Sequence, residues 1–386
     1  MTGDSALRRR PSRRLRSEVA SVEPTATVLI AGAGLAGARC AESLRALGWS
    51  GRIVVAGDEP HAPYERPALS KALLAGERDD VALRPESFWA EQEIELLLGQ
   101  EVADVDPERR TALVGGDLVA WDAFVHATGV RARRLAGPAG VHHLRSLDDA
   151  QALAAELTPS SRVVVVGAGF IGGEVASTLA PRVGSITVVE PLAAPLERVL
   201  GPEVGGLLAA RYSTYGIDLR LRTGVEGFDG DERVRGVRLT DGSTIPADVV
   251  VVGIGTVGET IEVDACGRTS TPGVYACGDV ASWWRPSHGR HVRVEHWTSA
   301  AGQARAVASA IAGEPVPYDD APYFWSDQFG LRLQHVGHAE TWHAVVLDGG
   351  DDSFTARYVD ADGHLLSALA ANRAAELRTL RLELAA

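Results

Sequence analysis

Short runs that are apolar at every position alternate with stretches whose apolar residues recur at helical spacing. "TVLIAGA" (27–33) is the first such run and ends on glycine. A helical pattern follows to about Leu47, and "GRIVVAGDE" (51–59) is the next apolar run, so the pattern predicts a strand–helix–strand unit. The same order recurs as a strand at 162–167, a helix over 172–180 and the strand "SITVVE" at 185–190, preceded by a helix in "LDDAQALAAEL". Runs without polar alternation belong to strands covered on both faces, as in parallel sheets. "ALVGGDLVAWDAFVHATG" (112–129) reads as strands closing on a glycine turn. More strands are predicted near 217–252, with turns at Gly230 and Asp241-Gly242, and an alanine-rich helix over 298–312.

From Pro315 the pattern changes. "PVPYDDAPYFWSDQFG" is rich in proline and aromatics, and alternating stretches follow ("LRLQHVGHA", "WHAVVLD", "FTARYVD", "HLLSALAA"). They predict an antiparallel sheet capped by a helix at 372–383, in an α+β domain at 318–386. At the other end "LRRRPSRRLRS" carries six arginines, and residues 1–24 read as a disordered basic tail. The domains expected are therefore 25–145 with 256–317, then 146–255, then 318–386.

Composition narrows the partners. The 386 residues carry 38 basic against 51 acidic side chains, a net charge of −13. That argues against nucleic acid, which wants a broad basic face, and leaves room for a local basic patch. The cysteines Cys40, Cys266 and Cys277 form neither CxxC nor CxxxxC, so neither a zinc site nor a redox dithiol is expected. No apolar run has the length of a bilayer span.

The chemistry lies at two glycine turns. Gly32-x-Gly34-x-x-Gly37, enclosing Leu35 and Ala36, follows the first strand and opens the first helix. The first glycine turns the chain, the second admits a pyrophosphate to the backbone, and the third packs helix on strand. The acidic pair Asp58-Glu59 ends the next strand. Gly167-x-Gly169-x-x-Gly172, enclosing Phe170 and Ile171, repeats the arrangement ahead of Glu190, with Gly255 closing "VVVGIG". A carboxylate at Glu190 accepts ribose hydroxyls and repels a 2′-phosphate, which favours NADH; Arg198 nearby leaves NADPH open. Two dinucleotide loops on one chain suggest an electron relay, with FAD in the first and NADH in the second. In "TPGVYACGDVA", Gly278 and Asp279 stand before an expected helix start, where Asp279 serves a ribityl hydroxyl, the helix N-cap, or both.

These strings carry a resemblance. "PYERPALSKALL", "GAGFIGGEVAS", "RTSTPGVYACGDVA", "RVEHWTSAAGQARAVA" and "PYFWSDQFG" resemble the FAD-dependent ferredoxin reductases that serve cytochrome P450s and Rieske-type oxygenases, the putidaredoxin-reductase-like flavoproteins, over about 27–380. The resemblance implies an α/β fold of two Rossmann-like, glutathione-reductase-like dinucleotide domains plus the C-terminal α+β domain. It implies FAD contacts at Ala36, Asp58, Lys71, Val102, Arg145, Asp279 and Trp297. Lys71 would lie near flavin N5, paired with Glu174. Arg305 and Trp325 would lie on the side where an iron–sulfur ferredoxin docks, although Trp325 reads equally well as a core residue. Arg285, Arg290 and Arg293 add cations for steering an acidic partner.

Two departures stand out. Between "VVVGIG" and "RTS" the family carries a helix and an extra strand pair where this chain has only "TVGETIEVDACG", with Gly258-Glu259 in place of the usual Pro-Asn. That segment is expected beside the nicotinamide. "ERPALSK" also lacks the cysteine of the disulfide-reducing branches. The leading reading is a cytoplasmic NADH:ferredoxin reductase, monomer or weak dimer, with no metal of its own. The alternatives are another acceptor (rubredoxin, oxygen, a quinone) or an NADH-sensing flavoprotein that works by binding.

Overall fold

The computed structural model describes residue 23 and residues 25–384. The basic tail expected at 1–24 lies, apart from Glu23, outside the described residues.

The apolar runs form two parallel sheets. In the first, strands Val274–Ala276, Ala123–His126, Val28–Ala31, Ile53–Gly57 and Ile94–Leu98 lie side by side in that order. In the second the order is Asp218–Leu221, Ser185–Glu190, Arg162–Val166, Val249–Val252 and Val141–His143. The unbroken apolar runs follow from burial on both faces: every residue of Val28–Ala31 and of Val249–Val252 is buried.

Strand Val274–Ala276 pairs with Ala123–His126, so a late segment completes the first sheet and delivers Gly278 and Asp279 to its C-terminal end. Helix Trp297–Ile311 then packs on helix Leu35–Ala46. The small side chains Ala38, Ala41, Ala304 and Ala308 share one core with Leu44, Val307 and Ile311. Small residues let two helices approach closely, and each buried Leu, Val or Ile contributes about 1.5–3 kcal/mol.

The C-terminal residues form a five-stranded antiparallel sheet in the order Tyr323–Gln328, Leu331–Gly337, Leu365–Ala371, Ser353–Val359, Ala344–Gly350, covered by helix Ala374–Leu384. Smaller sheets flank the large ones, among them the hairpin Ala281–Arg285 with Arg290–Arg293.

Several elements escaped the sequence pattern, among them strand Ile94–Leu98 at the edge of the first sheet. Helix Glu197–Thr214 was not expected, because Gly201, Pro202, Gly205 and Gly206 break its periodicity; Gly201 stands at φ +78° inside it. Strand Tyr323–Gln328 lay hidden in the proline- and aromatic-rich stretch. Asp279 does not precede a helix: it sits in a turn before strand Ala281–Arg285, whose two tryptophans favour a sheet, so the N-cap role is excluded.

Candidate active site

The C-terminal ends of the first sheet's strands open into an elongated cleft, the usual ligand position in parallel sheets. Gly32–Ala36, Gly57–Glu59, Ala127–Val130 and Gly278–Asp279 line it. Phe170, Ile171 and Glu174 enter from the helix that follows the second glycine loop, and Phe324 and Trp325 enter from the C-terminal sheet. The cleft encloses about 1470 Å³, its open mouth included.

The two loops are built alike. Gly32 stands at φ +119°, and a side chain there would run into the Ala127 carbonyl; one at Gly37 would run into the Gly32 carbonyl. Gly34, by contrast, has nothing within 4 Å of where a Cβ would be. Gly34 caps helix Leu35–Ala46 without a side-chain hydrogen bond, and among the described residues the first N–H groups of that helix have no hydrogen-bond partner. In the second loop Gly167 stands at φ +100° against the Gly253 carbonyl, Gly172 packs on Gly167, and Gly169 is open. Helix Phe170–Leu179 is likewise uncapped. Free N–H groups at a helix start attract phosphate.

At the inner part of the cleft, Lys71 Nζ lies 2.7 Å from Glu174 Oε2. Lys71 leaves helical dihedrals within the short π-turn Leu69–Leu73, and Glu174 is buried. The Ser70 and Ser326 hydroxyls donate to the same carboxylate at 2.5 and 2.6 Å. Arg145 donates to Asp279 Oδ2 at 2.8 Å. Arg66 donates to Glu59 Oε1 and to the Arg145 carbonyl, both at 2.5 Å. Trp297 and Trp325 both line the cleft, their ring centres 6.1 Å apart and edge-on. His296 lines the cleft beside them, and burial lowers its pKa to about 4, so it is neutral at pH 7.

The model of the pyridine nucleotide-disulphide oxidoreductase family matches residues 26–304.

The chain belongs to that family.

A second model, the reductase C-terminal domain, matches residues 323–386. The oxidoreductase is 40% identical over 370 residues to the 5,5′-dehydrodivanillate O-demethylase ferredoxin reductase subunit of Sphingobium sp., covering 89% of this chain and 90% of that one. Among solved structures it is similar to the reductase of the covalent putidaredoxin reductase–putidaredoxin complex, with a TM-score of 0.89, 32% identity and 93% of each chain covered. It is also similar to the ferredoxin reductase for the CYP199A2 system from Rhodopseudomonas palustris, with a TM-score of 0.89, 38% identity and coverage of 94% and 95%.

In this oxidoreductase the residues singled out from sequence fall into groups. Gly32, Gly34, Leu35, Ala36, Asp58, Lys71, Arg145, Phe170, Ile171, Glu174, Gly278, Asp279, Trp297 and Trp325 line the one cleft. Gly37 lies behind the first loop, and Val102 packs against a neighbouring core without lining the cleft. Gly167, Gly169, Gly172 and Gly255 follow the second sheet's strands and Glu190 ends one of them; none of the five lines the cleft. Glu190 Oε2 accepts from the Ala168 N–H at 2.8 Å and Oε1 from the Leu192 N–H at 2.9 Å, which fixes the carboxylate against the loop. Arg198 is exposed. Arg305 is the exposed residue of an otherwise buried stretch, Ser299–Ile311, and among the described residues it has no ion-pair partner.

The steering cations need correction. Arg285 is buried and donates to the Asp320 carbonyl, while Arg293 is tied to Glu295 at 2.7 Å and to the Asp279 carbonyl at 2.8 Å. Arg290 is paired with Glu340 at 3.0 Å. Within the hairpin Trp283 and Arg285 are buried, whereas Trp284 and Arg290 are exposed. Sequence reasoning missed Arg66, Ser70, His296, Phe324 and Ser326. All five stood inside the quoted strings "PYERPALSKALL", "RVEHWTSAAGQARAVA" and "PYFWSDQFG", but a lone serine, histidine or phenylalanine there carries no signal of its own. The three cysteines are free, buried and absent from the cleft lining.

Proposed function

We propose that this oxidoreductase carries electrons from NADH, through bound FAD, to a small iron–sulfur ferredoxin that serves a cytochrome P450 or a Rieske-type oxygenase. One observation carries the reading: the first glycine loop, the helix after the second loop and the C-terminal strand bearing Trp325 line a single cleft. The helix that opens at the second glycine loop thereby reaches the cavity of the first loop, beside an aromatic wall.

The residues present fit FAD. The open space at Gly34 and the unpaired N–H groups that start helix Leu35–Ala46 suit a diphosphate. Arg66 and Arg145, paired with Glu59 and Asp279, line the cleft, and Asp279 offers a carboxylate for a ribityl hydroxyl. Asp58, 61% exposed at the tip of its strand, suits an adenosine ribose at the cleft's outer end. FAD, when bound, accepts a hydride and gives up electrons one at a time. Lys71 sets a positive charge at the flavin edge of the cleft and Glu174 holds it in place, which limits the cost of burying either charge alone.

Gly169 and its uncapped helix suit the NADH diphosphate, and Glu190 accepts from the ribose hydroxyls, so NADH is preferred to NADPH. Ferredoxin docks on the side of Arg305 and Trp325; its centre is [2Fe–2S] or a related cluster. The protein works as a monomer or weak dimer in the cytoplasm, and no helix among the described residues is long and apolar enough to cross a membrane. The test is purification followed by anaerobic NADH titration. A yellow protein that NADH bleaches at an equimolar end point is expected. A colourless protein that takes up no added FAD overturns the reading.

A further inference from the structure

Strand Tyr323–Gln328 alternates half-buried with buried positions. Trp325 lines the cleft from one face. Ser326, its neighbour, is fully buried on the other, where its Oγ donates to Glu174 Oε1 at 2.6 Å. Ser70 Oγ donates to the opposite oxygen, Oε2, at 2.5 Å, and that same oxygen holds Lys71 Nζ at 2.7 Å. Gln328 Nε2 donates to Ser326 Oγ at 3.1 Å, which leaves the serine's single proton for the carboxylate. The Gln328 amide in turn lies against Gly173, where any side chain would collide with Gln328 Oε1. Three distant parts of the chain therefore meet on one buried carboxylate.

The division of donors matters. Ser70 and Lys71 share Oε2, so among the described residues only Ser326 holds Oε1. Without it a buried acceptor is left with no donor, and the carboxylate is free to turn about its last bond. We propose that Ser326 is a positioning residue for hydride transfer: it fixes the Glu174 carboxylate so that the Lys71 ammonium stays at the flavin edge of the cleft. The inference rests on the role proposed above for Lys71 and Glu174.

A carboxylate that loses a donor takes up a proton more readily. Lys71 is the charged group facing Glu174 from the 69–73 turn, and the strand presents the neutral Ser326 and Gln328. Tyr212, near Gly173, is kept neutral by burial. The strands beneath the helix present valines and Glu190, which is bound to its own loop.

The experiment follows anaerobic reduction of the FAD-loaded protein by NADH in stopped flow across pH, for wild type, Ser326→Ala, Ser326→Cys and Lys71→Ala. Ser326→Ala is expected to slow reduction roughly tenfold and to move the acidic limb of the profile up by about one pH unit, with NADH affinity unchanged. The thiol of Ser326→Cys, a weaker donor, should fall between. If Lys71→Ala slows reduction while Ser326→Ala keeps the wild-type rate and limb, the positioning role is wrong and the Lys71 role stands. If Lys71→Ala itself reduces at the wild-type rate, the underlying reading fails. Should the alanine variant lose FAD, Ser326→Cys decides, and a wild-type limb in it overturns the proposal.

Discussion

Gly34→Ala separates ligand binding from folding. Gly34 has φ −82° and ψ −168°, which alanine adopts without strain, and no atom lies within 4 Å of the new methyl. Two small terms oppose each other in the apoprotein. Alanine restricts the unfolded chain, worth about 0.4–1 kcal/mol, and it is a poorer N-cap than glycine by a similar amount. Stability should therefore change by less than about 1 kcal/mol. The same methyl occupies the space through which a diphosphate reaches the free N–H groups of the helix. Loss of two charge-assisted hydrogen bonds at about 1.5–3 kcal/mol each weakens FAD binding by roughly two to four orders of magnitude. The assay pairs thermal melting of the apoprotein with FAD titration by flavin fluorescence. Gly169→Ala is the control, since its position is equally open: it should keep FAD and lose NADH affinity. Gly37→Ala should damage the fold itself, because its methyl meets the Gly32 carbonyl. Wild-type FAD affinity in Gly34→Ala, or loss of FAD in Gly169→Ala, would refute the assignment of the two loops.

Three further outcomes are expected. Glu190→Gln removes a charge at nearly constant volume and should narrow the NADH preference by about 1–3 kcal/mol in the kcat/KM ratio; a wild-type protein faster with NADPH contradicts the role of Glu190. Arg305→Glu should slow ferredoxin reduction and spare flavin reduction by NADH. The wild-type ferredoxin rate should fall with salt as the Debye length shrinks from ~10 Å at 0.1 M to ~3 Å at 1 M; equal loss of both rates would make Arg305 structural. Burial lowers His296 to about 4 and His335 to about 3 from the ordinary 6.5, so below pH 6.5 the unfolded chain binds more protons than the folded one. Each stabilises fully above that pH and loses up to about 1.4 kcal/mol per unit as pH falls towards its folded value. Melting temperatures should drop from pH 7 to pH 5, and a flat profile would contradict the burial of both imidazoles.

Much of this architecture was legible because parallel strands leave unbroken apolar runs and glycine turns have fixed spacing. The strands at 28–31, 162–166 and 185–190 and both glycine loops could be read directly. Pairs that meet across the fold could not. Nothing in "YFWSDQ" shows that its serine reaches a glutamate 152 residues away, or that Ser70 reaches the same group. The resemblance supplied Lys71 and Glu174 as partners, but not the hydroxyls that hold them. Charge was misleading in the hairpin, where Arg285 and Arg293 looked like surface cations and instead bind backbone carbonyls. Helix Glu197–Thr214 was hidden by its glycines and proline; Gly205 lies against Pro195, where a side chain has no room.

The most direct test mixes NADH anaerobically with the FAD-loaded protein and excess [2Fe–2S] ferredoxin, and follows flavin and iron–sulfur absorbance together. The account predicts that the flavin bleaches first and that two ferredoxins are then reduced per NADH, each taking one electron. Flavin bleaching by NADH with no ferredoxin reduced, across a panel of ferredoxins, would contradict it.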